Sequence, residues 1–183
     1  EQCLTLAQRA QDLPLLLEAR LALGQTLYYL GELAPAREHW EQGIALYDPQ
    51  QHSSHAFRSP VMFCLQLAAF ALWHLGYPEQ ALKRVHGALT LAQEMDHPFS
   101  LAFTLDSAAQ LHQYRREDPA AQERAEAAMT LATEQGFALP LAVGMVVRGW
   151  ALTEQGHKEE GIAQLQEGLA ACQAIGAKTL LPY

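Results

Sequence analysis

Twelve positions that hold only glycine or alanine recur in one fixed spacing along this chain, and that pattern limits the fold more than any other feature. With Gly31, Gly76, Arg116 and Gly156 as anchors, the residues five further on are Ala36, Ala81, Ala121 and Gly161. Seven before the anchors stand Gly24, Ala69, Ala109 and Gly149, and twelve after them stand Gly43, Ala88, Ala128 and Gly168. The anchors lie 45, 40 and 40 residues apart. A repeat of that length marks stacked helical hairpins, each burying its apolar face only against its neighbours. Such an array offers surfaces for binding rather than a closed pocket for chemistry.

Composition agrees and excludes several classes. Half of the residues are hydrophobic and aromatics reach only 8%, as packed amphipathic helices require. The net charge of −8 leaves no basic stripe for a phosphate backbone, so nucleic acid is not an expected partner. Apolar runs are interrupted well before the length of a membrane span, and no signal peptide opens the chain. Cys3, Cys64 and Cys172 stand far apart within helical apolar patterns. They read as small buried hydrophobes in a reducing, cytoplasmic setting.

Prolines punctuate the pattern. Pro14, Pro60, Pro98 and Pro140 each precede an apolar stretch, and proline suits the first helical turn, where its missing N–H has no partner anyway. First helices are therefore expected from these prolines to about Leu30, Leu75, Tyr114 and Gln155, with Ser59 as an N-cap of the second. Pro35, Pro78 and Pro119 start the partner helices, with Asp118 as a cap. Along the partners, Leu82, Val85, Leu89 and Ala92 in one repeat, and Ile162, Leu165, Leu169 and Cys172 in another, define one apolar face. Repeats at about 14–48, 60–95, 98–135 and 140–175 make a single domain over 1–183. The stretch from Asp48 to Arg58 is the longest connector. The chain opens in mid-pattern at Glu1, and Leu180 to Tyr183 looks like the start of a fifth first helix, so a piece of a longer array is expected.

These residues resemble the tetratricopeptide repeat family, which has Leu-Gly in the first helix, glycine at the turn and Ala-x-x-x-aromatic in the second helix. Leu23-Gly24, Gly31 and Ala36-x-x-x-Trp40 match; the later repeats carry Val85, Ala125 or Leu165 in place of the aromatic. The resemblance runs from about Leu13 to Ile175. It implies an all-α, right-handed superhelical solenoid of about four antiparallel helix hairpins with partial flanking helices. The period exceeds the family's usual 34 residues and is similar to that in large bacterial signalling ATPases and transcriptional regulators.

In the family, first helices line a concave groove. Carried onto this chain, the matching positions give Gln25, Tyr29, Gln66, Phe70, Trp73, His74, Asp106, Gln110, Tyr114 and Trp150 as candidate partner-binding residues. Aromatic and amide side chains dominate and Lys and Arg are absent, so the groove suits an apolar or amphipathic segment rather than a terminal carboxylate. Phe63, Phe70, Phe103 and Trp150 are expected to pack between hairpins; Tyr29, Trp73, His74, Gln110 and Tyr114 are expected at the surface. His52 and His55 share a connector without a third ligand, so no metal is expected. No phosphate loop, zinc motif, nucleophile elbow or cysteine pair occurs, which leaves no residue for catalysis and no cofactor.

The resemblance thus implies a non-catalytic protein-interaction or intramolecular regulatory module. Its partner is a protein or peptide segment, including one from the same polypeptide, with self-association through exposed repeat ends as a further expectation. Two alternatives stand beside it: a small-molecule-sensing regulatory domain, and a structural spacer.

Overall fold

The computed structural model describes residues 2–48 and 55–177, with side chains from 59 onward in the second stretch. Among the described residues there is no strand. The helices are α1 (Gln2–Ala10), α2 (Leu13–Tyr29), α3 (Leu33–Ala45), α4 (His55–His74), α5 (Pro78–Glu94), α6 (Pro98–Tyr114), α7 (Asp118–Gln135), α8 (Ala138–Glu154) and α9 (Lys158–Ala174). The chain divides into two compact units, Glu1–Met95 and Asp96–Tyr183. In the first, α2 pairs with α3 and α4 with α5, while α4 also packs on α2 and α3. In the second, α6 pairs with α7 and α8 with α9, and α8 packs on both α6 and α7.

The four anchors are the hairpin turns, built alike. Gly31, Gly76 and Gly156 take φ of 84°, 84° and 95°, and Arg116 takes 61°. The next residue's N–H reaches back to a carbonyl five positions earlier: Glu32 to Leu27 (2.9 Å), Tyr77 to Leu72 (2.8 Å), Glu117 to His112 (3.0 Å) and His157 to Leu152 (2.9 Å). This is the Schellman closure, which satisfies a helix-end carbonyl and needs a left-handed residue. The same four residues then cap the partner helix through their own carbonyls, which accept from Ala36, Ala81, Ala121 and Gly161. One turn residue separates each helix end from the next cap, which fixes the spacing from anchor to first small residue.

All twelve small positions are buried. At Gly24 the space is taken by Trp40: an added β-carbon would lie 2.4 Å from its Nε1, and that N–H donates to the Leu21 carbonyl at 3.2 Å. The aromatic of the second helix therefore fits the glycine of the first. In the fourth hairpin the approach is backbone to backbone. A β-carbon at Gly149 would stand 2.8 Å from the Gly161 carbonyl oxygen, and one at Gly168 would stand 2.9 Å from the Val146 nitrogen.

Several expected boundaries shift. Helix α4 begins at His55, so Pro60 lies inside it and Ser59 does not cap it; proline keeps a helical φ and forfeits one backbone bond without ending the helix. Asp118 is the first residue of α7, and the cap is Glu117 without a side-chain bond, because the tight turn leaves no residue between closure and cap. Asp12 and His97 do cap with their side chains, accepting from the N–H of Leu15 and Ser100. Cys3 is exposed rather than buried, since α1 buries only Ala7. Burial pushes the Cys64 thiol up to about 12. Ile162 of the α9 stripe is 49% exposed, as α9 packs on α8 alone among the described helices of its unit. Pro49, His52 and Leu180 to Tyr183 lie outside the described residues.

Ion pairs bridge helices within each unit. Arg84 of α5 grips Glu41 of α3 through two bonds, Nε to Oε1 at 3.0 Å and Nη2 to Oε2 at 2.5 Å, a paired geometry that favours arginine. Arg148 of α8 reaches Glu126 of α7 at 2.9 Å and bonds to Gln164 of α9.

Two glycine variants separate the backbone's demands. Gly156→Ala meets open space and should lose about 1 kcal/mol from its left-handed φ alone. Gly149→Ala gains helix propensity but meets backbone, and should lose about 1–3 kcal/mol by overpacking. Urea denaturation of both variants checks this; a Gly149→Ala protein as stable as the parent contradicts the close approach.

Candidate partner-binding surfaces

In the first unit, the candidate positions lie along α2 and α4, which pack side by side. Tyr29 is 69% exposed at the end of α2, with Leu30 at 72% beside it. Its neighbour Tyr28 sits edge-on to Tyr29 and to the His74 ring, with centroids 5.8 and 6.0 Å away, and leans on Trp40. Nδ1 of His74 lies 2.7 Å from the Phe70 carbonyl oxygen and 3.4 Å from the Tyr28 hydroxyl. These contacts hold α2 and α4 in a common aromatic edge that ends in exposed Tyr29 and His74. Gln25 is exposed, Phe70 and Trp73 are half-buried, and Gln66 is almost wholly buried. As α4 stands, Gln66 is core and presents nothing to a partner.

In the second unit, α6 and α8 are neighbours. Gln110 is half-buried and Tyr114 is 41% exposed. With Gln113 they rim a small cavity of about 180 Å³ whose apolar wall includes Val143 and Val147 of α8 and Cys172 of α9. Trp150 packs onto the core residues Ala109, Ala121, Ala125 and Val147, so it joins the interior side of α8.

Asp106, one turn before Gln110, is the unusual member. Its side chain is buried, and neither carboxyl oxygen has a hydrogen-bond partner. A β-carbon placed on Gly144 would stand in ordinary contact with its Oδ1 at 3.4 Å but only 2.6 Å from Met129 Cγ, so glycine at 144 makes room for Met129 of α7 and the carboxyl lies beside it. Desolvation raises its pKa well above the ordinary carboxylate range, because an uncompensated charge in a low-dielectric site is costly.

Glu117 is its opposite. Partial burial pushes its carboxyl up, but bonds from His112 Nδ1 (2.7 Å) and Arg115 Nε (2.8 Å) outweigh that and hold it below the ordinary value. The cluster braces the one hairpin turn that lacks glycine. Among the described residues no group of three or more His, Cys, Asp or Glu is arranged to hold a metal ion, and no helix is long and apolar enough to cross a membrane.

Sequence reasoning overlooked Tyr77, which is 46% exposed with the Arg37 guanidinium 6.0 Å from its ring. A signal was available: Tyr77 holds the cap position where the other hairpins have Glu32, Glu117 and His157. Phe99 and Phe137 were overlooked as well. They meet edge to face at 5.2 Å, and only folding joins the first turn of α6 to the cap of α8.

No family model matches the chain, and no curated protein matches it. Solved structures do. Aspartyl phosphate phosphatase F from Bacillus subtilis superposes with a TM-score of 0.75 at 16% identity, over 90% of this chain and 42% of that one. A Rap protein complexed with Competence and Sporulation Factor gives 0.72 at 10% identity, over 92% and 51%. A putative kinesin light chain of Podosopora anserina with nearly identical TPR-like repeats gives 0.66 at 16% identity, over 93% and 83%. The fold is a tetratricopeptide-like helical repeat. The chain spans about half or less of the first two structures it resembles.

The two carboxylates predict opposite pH behaviour. Asp106 has a raised folded-state pKa, so the folded chain binds more protons than the unfolded one above the ordinary carboxyl range. Its contribution is therefore lost as pH rises through the folded value. Glu117 is depressed, so its contribution is lost on acidification. Asp106→Asn should raise the urea midpoint over the parent by more at pH 8 than at pH 5; an equal gain at both would show that Asp106 stays ionised in the fold.

Proposed function

We propose that this chain is a non-catalytic binding module that captures a protein or peptide segment on the exposed side chains of its first helices, as a regulatory part of a larger bacterial signalling or transcription protein. The observation that carries this reading is the aromatic edge of the first unit. Tyr29, Leu30 and His74 are exposed although Tyr28, Phe70 and Trp40 hold them in a fixed arrangement. Rigid aromatic side chains on a preorganised surface lose little entropy on binding and supply most of the energy at protein interfaces. No Lys or Arg stands at the candidate positions, so the favoured occupant is an apolar or amphipathic segment that is neutral or basic. The Rap structure complexed with Competence and Sporulation Factor shows that a similar array accommodates a bound factor, which supports the reading by analogy of fold. The regulatory setting rests on the long repeat period alone.

A displayed random-peptide library selected against the chain should enrich amphipathic sequences. Tyr29→Ala combined with Trp73→Ala should weaken their binding by tenfold or more in fluorescence titrations while circular dichroism stays unchanged. Binding that survives the double variant would remove the aromatic edge from the interface.

A further inference from the structure

The cavity in the second unit has a composition that partner capture by the aromatic edge does not use. About 180 Å³ is too small for a drug-sized ligand, whose pockets run from roughly 300 Å³ upward, and suits a single stem of the size of one side chain. Its wall is aliphatic at Val143 and Val147, and its rim carries the amides of Gln110 and Gln113 and the phenol of Tyr114. No cation lines it.

Asp106 does not line the cavity but neighbours its lining on both α6 and α8. It precedes Gln110 by one turn on α6, its Oδ1 lies beside Gly144, next in sequence to the wall residue Val143, and when ionised it would raise the thiol of Cys172 in the same wall. A buried carboxyl with both oxygens unpartnered costs stability that a plain apolar residue would not. The groups around it offer no counter-charge. Cys172 on α9 is itself pushed toward the neutral thiol by burial and by Asp106. Tyr114 on α6 is raised too, by burial. Arg148, the cation of α8, is engaged with Glu126 of α7 and with Glu160 of α9. What is missing at Asp106 is a cation.

We propose that this cavity is a binding site for an ammonium group on an aliphatic stem, which lies along Val143 and Val147, donates its N–H groups to the Gln110 and Gln113 side-chain oxygens, and pairs with Asp106. The carboxyl oxygens are covered in the unliganded fold, so the Asp106 side chain turns toward the cavity as the cation enters. Pairing with a cation favours the carboxylate form of Asp106 over the acid, which couples binding to pH. The ammonium belongs either to a lysine of a bound segment or to a free alkylamine. The site lies within the second unit and stands independently of the aromatic edge of the first.

The test uses the whole chain with n-pentylamine as the probe and 1-pentanol as its uncharged counterpart. Amine addition should shift the side-chain amide resonances of Gln110 and Gln113 saturably, with an affinity at least tenfold above that of the alcohol. Calorimetry in two buffers of different ionisation enthalpy should report net proton release on amine binding. Asp106→Asn keeps the shape of the side chain; with its fold checked by circular dichroism, it should bind amine and alcohol alike and release no proton. Cadaverine and a lysine-centred alanine peptide then distinguish the sources: the tighter of the two identifies the natural form of the cation, and either order supports the site. Equal affinity of the parent for amine and alcohol, undisturbed Gln110 and Gln113 resonances at high amine, or unchanged amine binding by Asp106→Asn overturns it.

Discussion

The contact on which the rest of this structure depends is the close approach of paired helices at residues without side-chain bulk. It is set by two coupled constraints. A left-handed turn residue closes one helix and leaves a single residue to cap the next, so the phase of the partner helix follows from the turn. In the fourth hairpin the small residue five past the anchor then faces the one seven before it, and the two backbones meet at Gly149 and Gly161. Where the first helix offers a glycine and the second a tryptophan, as at Gly24 and Trp40, the same separation is filled by a ring instead. Both solutions put the side chains that vary between repeats on other faces.

That arrangement leaves the exposed aromatic side chains of the first helices outside the pairing contacts. Second-helix residues at the small positions are consumed by pairing, and Arg84 and Arg148 are tied to Glu41 and Glu126. What stays available is the Tyr29 and His74 edge in one unit, and the rim of Gln110, Gln113 and Tyr114 in the other. Their chemistry differs. The first is rigid and aromatic, as interface anchors are, whereas the second is a small aliphatic cavity backed by an acid with no partner.

The candidate residues divide by a rule that one-dimensional spacing does not contain. Position relative to the anchor put Gln66 and Asp106 beside Gln110 and Tyr114, yet the first two are core. Helical phase places a residue on a face; how deeply the neighbouring helix covers that face depends on side chains distant in sequence. Gly144 of α8, 38 residues along the chain, lies beside the Asp106 carboxyl. Trp150 shows the same effect, drawn inward by a cluster of alanines whose small size leaves space for its ring.

The sequence by itself determined the hairpin count within the matched stretch, the turns and the packed positions, because each follows from local chemistry repeated at a fixed period: glycine where φ is positive, proline near helix starts, small residues where backbones meet. It placed the helix starts less well at Pro60 and Asp118, since proline tolerates a longer helix and the tight turn claims the cap for Glu117. Only the tertiary structure decided which polar groups would lose water. Asp106 reads in sequence as an ordinary groove residue; the packing of α7 and α8 against α6 removes its solvent without supplying a hydrogen-bond partner, and that desolvation raises its pKa.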